Sequence, residues 1–394
     1  MLVVDIVVVA ALIAAVAIGA SRGFVASLGT IAGLVVGGFA AAWLVPLLTV
    51  ALADLLPALT WRPAISAAAA VALVVGGAAI GSAIGAAVRR GVDRVRLSAI
   101  DRLLGAAAGG VATALVLLMV GQSVVATGAP GIGAAIASSR VLGWVDDLTP
   151  PPVDSALAQV RSLVLDEGLP SLGELLEVQT TTTSPPVALD DPALQTAAAS
   201  VARISGTAYA CGVSMTGSGF VVGEGLLVTN AHVVAGIDRA LVELPGREAR
   251  EGRVVYFDGS DDIALVAVDG LGAAALPLSD ELDPGDAAVV QGYPHGGPFT
   301  STGATVLSEG TVPVPDIYDD AVAPRDIYAL AADVQPGNSG GPLLTAGGAA
   351  GGIVFARGDD GAGRGYAIAM SELAPALAST TAASPTVSTG TCTG

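Results

Sequence analysis

The chain has 394 residues, of which 53% are hydrophobic and 13% charged, and its mean hydropathy is +0.71. Hydropathy this high speaks against a wholly soluble chain and indicates membrane segments. The formal charge of −18 excludes a nucleic-acid-binding protein, because neutralising phosphates needs clustered cations. Residues 1–127 hold seven Arg and four acidic residues, whereas residues 128–394 hold ten Arg and thirty-one acidic residues. We therefore expect an apolar N-terminal part and an acidic C-terminal part.

Four apolar stretches in the N-terminal part are each long enough to cross about 30 Å of hydrocarbon as a helix. They cover residues 2–20, 25–48, 64–88 and 103–127, and the one charge within them is Asp5. The first stretch has no basic start and is followed at once by another, which favours an anchor over a cleaved signal peptide. The sequence thus predicts four membrane spans.

Glycines at four-residue spacing predict close packing between these helices, although chance matches are expected in a chain with 52 Gly. They are Gly29, Gly33, Gly37, Gly77, Gly81, Gly85, Gly105 and Gly109. Five Arg between residues 89 and 102 place that loop in the cytoplasm by the positive-inside rule, and both termini outside. No stretch has a charge at its middle, so we expect an anchor or interaction platform, not a transport pathway.

A linker is predicted over residues 131–195. Three prolines at 150–152 precede residues 153–178, whose apolar positions could line one or two short helices. Residues 180–186, rich in Thr and Pro, cannot form a core and are predicted to be a flexible tether.

Short segments rich in β-branched residues follow from residue 196. They are separated by Gly turns and lack intervening helices, which indicates an all-β barrel or sandwich. The predicted strands are 218–222, 226–229, 240–244, 253–256, 263–268, 287–291 and 352–355.

Three fragments of this β region carry chemistry. His232 lies in Thr-Asn-Ala-His-Val-Val, Asp262 directly precedes an apolar strand, and Ser339 lies in Gly-Asn-Ser-Gly-Gly-Pro. A serine hydroxyl needs a neighbouring base, an imidazole suits that task, and a buried carboxylate orients the imidazole. The Gly-rich turn would let the backbone N–H groups of Gly337 and Ser339 face a developing oxyanion.

Each of these assignments has an alternative. Asp261 could replace Asp262 as the acid, and His232 could be a buried structural histidine. The other histidine of the chain, His295 in Gly-Tyr-Pro-His-Gly-Gly, is interpreted as a loop residue.

The three fragments resemble the chymotrypsin-type serine proteases, in forms similar to the bacterial HtrA-like branch. The four apolar stretches are similar to the colicin V production (CvpA) membrane family, and the combination resembles the MarP-like periplasmic proteases of mycobacteria. The resemblance implies a multidomain chain: a helical membrane domain at 1–130, the linker, and a chymotrypsin-like double β-barrel at 196–394. It makes His232 the general base, Asp262 its orienting acid and Ser339 the nucleophile.

Substrate-binding residues follow from the same resemblance. Phe355, Ala356 and Arg357 would form the strand to which a substrate peptide adds by β-augmentation. Asp333 lies six residues before Ser339, the offset of the acid that selects basic P1 residues in trypsin-like enzymes. Alternatively, Asp333 is a structural turn residue.

The two cysteines, Cys211 and Cys392, flank the predicted protease region. An extracytoplasmic compartment permits a disulfide between them, as in the resembled proteases, and two free thiols are the alternative. Closing a loop of about 180 residues would constrain the unfolded chain by roughly 5 kcal/mol.

The sequence predicts a multi-pass protein of the plasma membrane with an extracytoplasmic serine endopeptidase domain. It would act on protein or peptide substrates of the cell envelope, without a metal or cofactor, and the resemblance implies a role in acid or oxidative stress. A membrane scaffold or signalling protein whose β domain binds peptides without turnover is the alternative. The sequence leaves the oligomeric state open.

Overall fold

The computed structural model describes residues 2–55, 62–92, 98–126, 132–150, 152–153, 157, 169–173, 176, 187–208, 213–279, 282–358 and 363–393. Two compact units divide the chain: Met1–Val120 with Ser139–Leu148, and Gly121–Ser138 with Thr149–Gly394. Cys211, part of the Arg-rich loop and the tether at 180–186 lie outside the described residues.

The first unit is helical. Its helices are α1 (Leu2–Arg22), α2 (Phe24–Leu55), α3 (Arg62–Val92), α4 (Ser98–Ala126) and α6 (Arg140–Leu148), while α5 (Ile132–Ala137) belongs to the second unit. Within the described residues, two helical segments are long and apolar enough to span a membrane: Leu2–Arg22 and Ala99–Gln122. The apolar stretches of α2 and α3, Ser27–Ala41 and Ala72–Ala87, are shorter.

Glycines bring the backbones of these helices into direct contact, which confirms the packing prediction. A Cβ added at Gly33 would lie 2.1 Å from the carbonyl oxygen of Gly77, so only Gly fits where α2 meets α3. The same holds between α1 and α4, where a Cβ at Gly19 would lie 2.3 Å from the carbonyl oxygen of Gly105. Close approach of this kind is how small residues associate apolar helices.

The β part of the second unit begins with a closed six-stranded barrel. Its strand order is β2-β3-β4-β7-β6-β5, and all its pairings are antiparallel. The strands are β2 (Val201–Ala208), β3 (Val213–Gly223), β4 (Leu226–Thr229), β5 (Ala240–Glu243), β6 (Arg250–Asp258) and β7 (Ile263–Val268). Buried aliphatic side chains such as Ile204, Leu227 and Val266 fill one core cluster of this barrel.

A seven-stranded sheet follows, in the order β1-β12-β11-β8-β9-β10-β13, with an additional β12–β13 pairing. Its strands are β1 (Ser171–Leu172), β8 (Ala287–Gly292), β9 (Thr300–Pro315), β10 (Val322–Ala331), β11 (Pro342–Thr345), β12 (Ala350–Gly358) and β13 (Arg364–Ala369). All seven strands predicted from the sequence are present, within a few residues at their ends.

The prediction of short helices within residues 153–178 is wrong for residues 171–172, because this segment is strand β1 and pairs parallel to β12. Pro170 prevents a helix from continuing through this point from the preceding residues, since proline lacks an N–H and biases Leu169 towards extended backbone. Its carbonyl oxygen instead accepts a hydrogen bond from the backbone N–H of Arg357, at 3.0 Å. Leu169 and Leu172 pack against two core clusters of the second unit.

Short helical segments complete the second unit: Pro192–Ala198, Ala231–Val234, a 3-10 turn at Pro294–Gly296, and Met370–Ser379. After the last helix the chain returns to the first barrel, where the N–H of Val387 donates to the carbonyl of Val254. Cys392, near the end of this segment, packs against Ala208, Met215 and Ile237.

Candidate active site

His232 lies in the short helix that directly follows β4. It is 3% exposed, and its ring Nδ1 lies 2.7 Å from Oδ2 of Asp262. The backbone N–H of His232 donates to Oδ1 of the same carboxylate at 2.9 Å. Both carboxylate oxygens are therefore bonded to one residue, which fixes the imidazole orientation and keeps the hydrogen on Nδ1 when Asp262 is ionised.

Asp262 ends the loop that connects β6 to β7, in a left-handed conformation with φ of 56°. The Asp258 carboxylate accepts a hydrogen bond from the backbone N–H of Ser260 and shapes this loop. The side-chain amide of Asn230 donates to the carbonyl oxygen of Asp262 at 2.9 Å. Asp262 rather than Asp261 thus faces the imidazole; burial raises the pKa of Asp261, and the nearby Asp258 raises it further.

Ser339 lies in the Gly-rich turn between β10 and β11 and is 1% exposed. Gly337 and Gly340 have φ of 91° and 83°, the left-handed region that favours glycine. A Cβ at Gly340 would lie 2.1 Å from the carbonyl oxygen of Ser218, so the turn sits directly on β3. Among the described residues, Ser339 Oγ and His232 Nε2 are both buried and make no hydrogen bond. Catalytic hydrogen bonds are often long in the unliganded state of an enzyme.

The fold thus assembles three residues that are far apart in the sequence. The first barrel supplies His232 and Asp262, while the turn after β10 supplies Ser339. The backbone N–H of Ser218 on β3 donates to the carbonyl oxygen of Ser339 at 2.7 Å and ties the turn to that barrel.

Arg325, on β10, is a buried cation. It lies close to the loop between β6 and β7 (residues 259–262), which carries Asp262 and which we call the acid loop. It is 1% exposed and donates a hydrogen bond to the carbonyl oxygen of Ser260. Burial lowers the pKa of Arg325, and the carboxylates of Asp262 and Asp261 oppose that shift. The guanidinium therefore contributes positive charge beside the acid that orients His232.

The residues predicted to bind substrate lie on and near β12. Phe355 and Ala356 are buried and Arg357 is exposed. The backbone N–H of Arg357 is bonded to Pro170 on the segment that contains β1. Asp333 is exposed and accepts a hydrogen bond from the side chain of Gln335, two residues further on.

His295 lies in the 3-10 turn between β8 and β9, as the loop interpretation expects, and its φ is 55°. Its backbone N–H donates to the carbonyl oxygen of Pro336 at 2.6 Å, next to Gly337. Within the described ranges, no group of three or more His, Cys, Asp or Glu side chains could hold a metal ion.

Two family models match the chain. The first, described as a trypsin-like peptidase domain, matches residues 217–353, and the second, colicin V production protein, matches residues 4–150. The serine protease Rv3671c of Mycobacterium tuberculosis H37Rv is 37% identical over 271 residues, which are 67% of this chain and 67% of that protein. The chain belongs to this family of trypsin-like serine proteases.

A solved structure and a second relative match smaller shares of the chain. The crystal structure of the active form of the Rv3671c protease has 33% identity and a TM-score of 0.50; it aligns over its whole length with 56% of this chain. A probable periplasmic serine endoprotease, DegP-like, of Ectopseudomonas mendocina is 34% identical over 160 residues, 39% of this chain and 32% of that protein.

Sequence reasoning missed several residues of this serine protease that support the site. Ser218 and Arg325 bind backbone groups that are far away in the sequence, so no local pattern predicts these bonds. Asn230 lies in the histidine motif, but its hydrogen bond to Asp262 was not predicted. The signal available for Ser218 was its place between two glycines at the start of a predicted strand.

Proposed function

We propose that the chain is a membrane-anchored extracytoplasmic serine endopeptidase that cleaves proteins of the cell envelope through an acyl-enzyme. The observation that carries this proposal is the buried 2.7 Å contact between His232 Nδ1 and Asp262 Oδ2, in the barrel to which Ser339 is bonded through the backbone N–H of Ser218. It leaves His232 Nε2 as a base with a lone pair, on the side of the ring away from the carboxylate.

In the first half-reaction, Ser339 Oγ attacks the carbonyl carbon of the scissile peptide bond while His232 Nε2 takes the hydroxyl proton. The carboxylate of Asp262 stabilises the imidazolium that forms. The C–N bond then breaks, the amine leaves with the proton from His232, and an ester to Ser339 remains. Water then gives a proton to His232 and attacks the ester carbon. The C–O bond to Ser339 breaks, Ser339 Oγ takes the proton back from His232, and the acid product leaves.

The backbone N–H groups of Gly337 and Ser339 would bind the oxyanion of both tetrahedral intermediates. Donors of this kind are held in place before the reaction, so each contributes about 100- to 1000-fold in rate. The substrate peptide would add to the edge of β12 at Phe355, Ala356 and Arg357. Asp333 lies on the loop that leads into the Gly-rich turn at residues 337–341, which we call the oxyanion turn. Asp333 is our candidate for contacts with the P1 side chain.

The membrane part is proposed to have four spans. Exposed large apolar side chains on α1, α2, α3 and α4, among them Val7, Phe39, Ile80 and Leu103, support contact with lipid along all four helices. The Arg-rich loop then lies in the cytoplasm, and the protease part lies outside the cell membrane.

The protease part is proposed to be a double β-barrel that starts near residue 196. The additional β12–β13 pairing supports closure of the second sheet, because it joins two strands that the sheet order sets far apart. Domain limits of 1–130, 131–195 and 196–394 remain our proposal, as does a role in acid or oxidative stress.

A disulfide between Cys211 and Cys392 is part of the same proposal. Its support is the position of Cys392, which packs against Ala208, three residues before Cys211 in the chain. Non-reducing peptide mapping should recover both cysteines in one linked peptide, whereas alkylation of both thiols would argue against the bridge.

Hydrolysis by the purified full-length chain in detergent tests the proposed activity. Wild-type protein should cleave casein or a peptide mixture, and Ser339→Ala should abolish cleavage. Ser308→Ala is a matched control, because Ser308 is also a fully buried serine and its hydroxyl has no hydrogen-bond partner among the described residues. Equal activity of wild type and Ser339→Ala would favour a peptide-binding scaffold instead.

A further inference from the structure

The two carbonyl groups on either side of Gly337 in the chain, those of Pro336 and of Gly337 itself, are each held by a hydrogen bond. The carbonyl oxygen of Pro336 accepts a hydrogen bond from the backbone N–H of His295 at 2.6 Å. In a trans peptide unit the C=O and N–H point in opposite directions, so this bond sets the direction of the Gly337 N–H. The next carbonyl, that of Gly337 itself, accepts a hydrogen bond from the hydroxyl of Ser218 at 2.7 Å.

Ser218 also holds the turn that contains His295. Its Oγ accepts a hydrogen bond from the backbone N–H of Tyr293 at 3.0 Å, while the same hydroxyl donates to Gly337. Ser218 is completely buried on β3. One side chain therefore joins the oxyanion turn to the 293–296 turn and binds a backbone group of each.

Arg203 holds the 293–296 turn from the neighbouring strand. Arg203 on β2 and Ser218 on β3 are register partners, so their side chains leave the same face of the sheet. The Arg203 guanidinium donates to the carbonyl oxygen of Gly296 at 2.8 Å. It is itself fixed by a two-bond contact with the Glu243 carboxylate, at 3.0 and 2.9 Å.

The packing leaves little freedom for this arrangement. A Cβ at Gly337 would lie 2.4 Å from the carbonyl oxygen of Tyr293 and 2.7 Å from the backbone nitrogen of His295. The oxyanion turn thus rests directly on the 293–296 turn. Any shift of that turn would rotate the peptide units on either side of Gly337.

We propose that Ser218 is a positioning residue for the oxyanion hole. Its hydroxyl keeps the Gly337 amide pointed at the place where negative charge develops, and Arg203 supports it through the 293–296 turn. This inference rests on the proposed protease function, because it assigns Ser218 a part in the same reaction.

Steady-state kinetics of the full-length chain with Ser218→Ala test the inference. We expect kcat to fall about 10- to 100-fold, less than the loss of a whole oxyanion donor, and KM to stay within about twofold. The inhibition constant of a peptide aldehyde, which forms a hemiacetal with Ser339, should rise in parallel with the loss of kcat. The acid limb of the pH profile of kcat/KM, which reports the essential base of the free enzyme, should not move.

Ser308→Ala serves as the matched control and should leave all four quantities unchanged. Unchanged kcat in Ser218→Ala would overturn the inference, and so would a fall in kcat accompanied by an equal change in KM and a displaced acid limb. If Ser218→Ala does not fold, Arg203→Met decides: it should lower kcat in the same pattern, and wild-type kcat would overturn the inference. Wild-type protein no more active than Ser339→Ala would instead refute the protease function itself.

Discussion

The guanidinium carbon of Arg325 lies 5.4 Å from the centroid of the Phe355 ring. The same buried guanidinium donates to the Ser260 carbonyl in the acid loop. One cation therefore connects the loop that carries Asp262 with the strand proposed to pair with substrate. A desolvated contact between a guanidinium and an aromatic ring contributes about 2 kcal/mol.

Replacing Arg325 should destabilise the protease unit. Arg325→Met removes the ring contact and leaves the Ser260 carbonyl without this donor, so we expect a loss of about 2–4 kcal/mol in the free energy of unfolding. Arg239→Met is the control, because Arg239 is 68% exposed in a surface ion pair with Glu251, which is worth about 0–1 kcal/mol. Urea midpoints from pulse proteolysis of the full-length chain measure both; equal midpoints would contradict the assigned role.

The contact between α2 and α3 predicts a contrast between two glycines of one helix. Gly33→Ala would place a methyl group against the backbone of α3, and we expect a loss of about 1–3 kcal/mol. At Gly38 an added methyl group would have no atom within 4 Å, and Gly38→Ala gains the same helix propensity as Gly33→Ala. Gly38→Ala should therefore be neutral or slightly stabilising. Thermal unfolding in detergent compares them, and equal midpoints would show that α2 and α3 are not packed this closely.

Asp261 predicts a pH-dependent contribution to stability. Burial and Asp258 raise its pKa in the native state, so the folded chain binds this proton at a higher pH than the unfolded chain does. The contribution is therefore fully present below the unfolded pKa and is lost as the pH rises through the raised native pKa. At neutral pH the ionised carboxylate lowers stability.

The substitution Asp261→Asn should accordingly raise the midpoint temperature by about 1–2 °C at neutral pH. At pH ~2.5, well below the usual Asp pKa of about 3.9, both side chains are neutral, and the difference should vanish. Asp238→Asn, at an exposed position, is expected to change stability by no more than about 0.5 kcal/mol. Scanning calorimetry at the two pH values measures this, and a stabilisation that persists in acid would refute the explanation.

The segment with β1 should compete with substrate. It occupies the backbone N–H of Arg357 and pairs parallel to β12, along the strand to which we propose that the substrate adds. The double substitution Leu169→Asp with Leu172→Asp removes the apolar contacts that hold the segment. We expect KM for a peptide substrate to fall about 3- to 10-fold at unchanged kcat, because the free edge becomes more populated.

Leu189→Asp is the control for that experiment, because Leu189 is 46% exposed in the same stretch of chain. Initial rates over a range of peptide concentrations separate KM from kcat. An unchanged KM in the double variant would mean that β1 does not obstruct the substrate strand.

The sequence was informative where function requires a local pattern. The motifs around His232 and Ser339 and the continuous apolar strand Ile263–Val268 could be identified without a structure. Strand β9, Thr300–Pro315, was not predicted, because it is rich in Thr, Ser and Gly and contains two prolines. This composition is typical of loops.

Contacts that support the site could not be read from the sequence, for a physical reason. Ser218 and Gly337 are separated by 119 residues, and only the packing of two sheets brings them together. Arg325 illustrates the same limit, since a lone Arg is ordinarily a solvated side chain. Arg325 is buried against the Ser260 carbonyl of the acid loop and the ring of Phe355 on β12.

We propose that Ser339 is a nucleophile activated by His232 and Asp262. Tandem mass spectrometry of the full-length chain after treatment with a fluorophosphonate probe tests it most directly. We predict one adduct, on the Ser339 peptide, that is absent from His232→Ala and formed much more slowly in Asp262→Asn. A folded wild-type chain that carries no adduct on Ser339, or an adduct that forms equally fast in His232→Ala, would contradict the account.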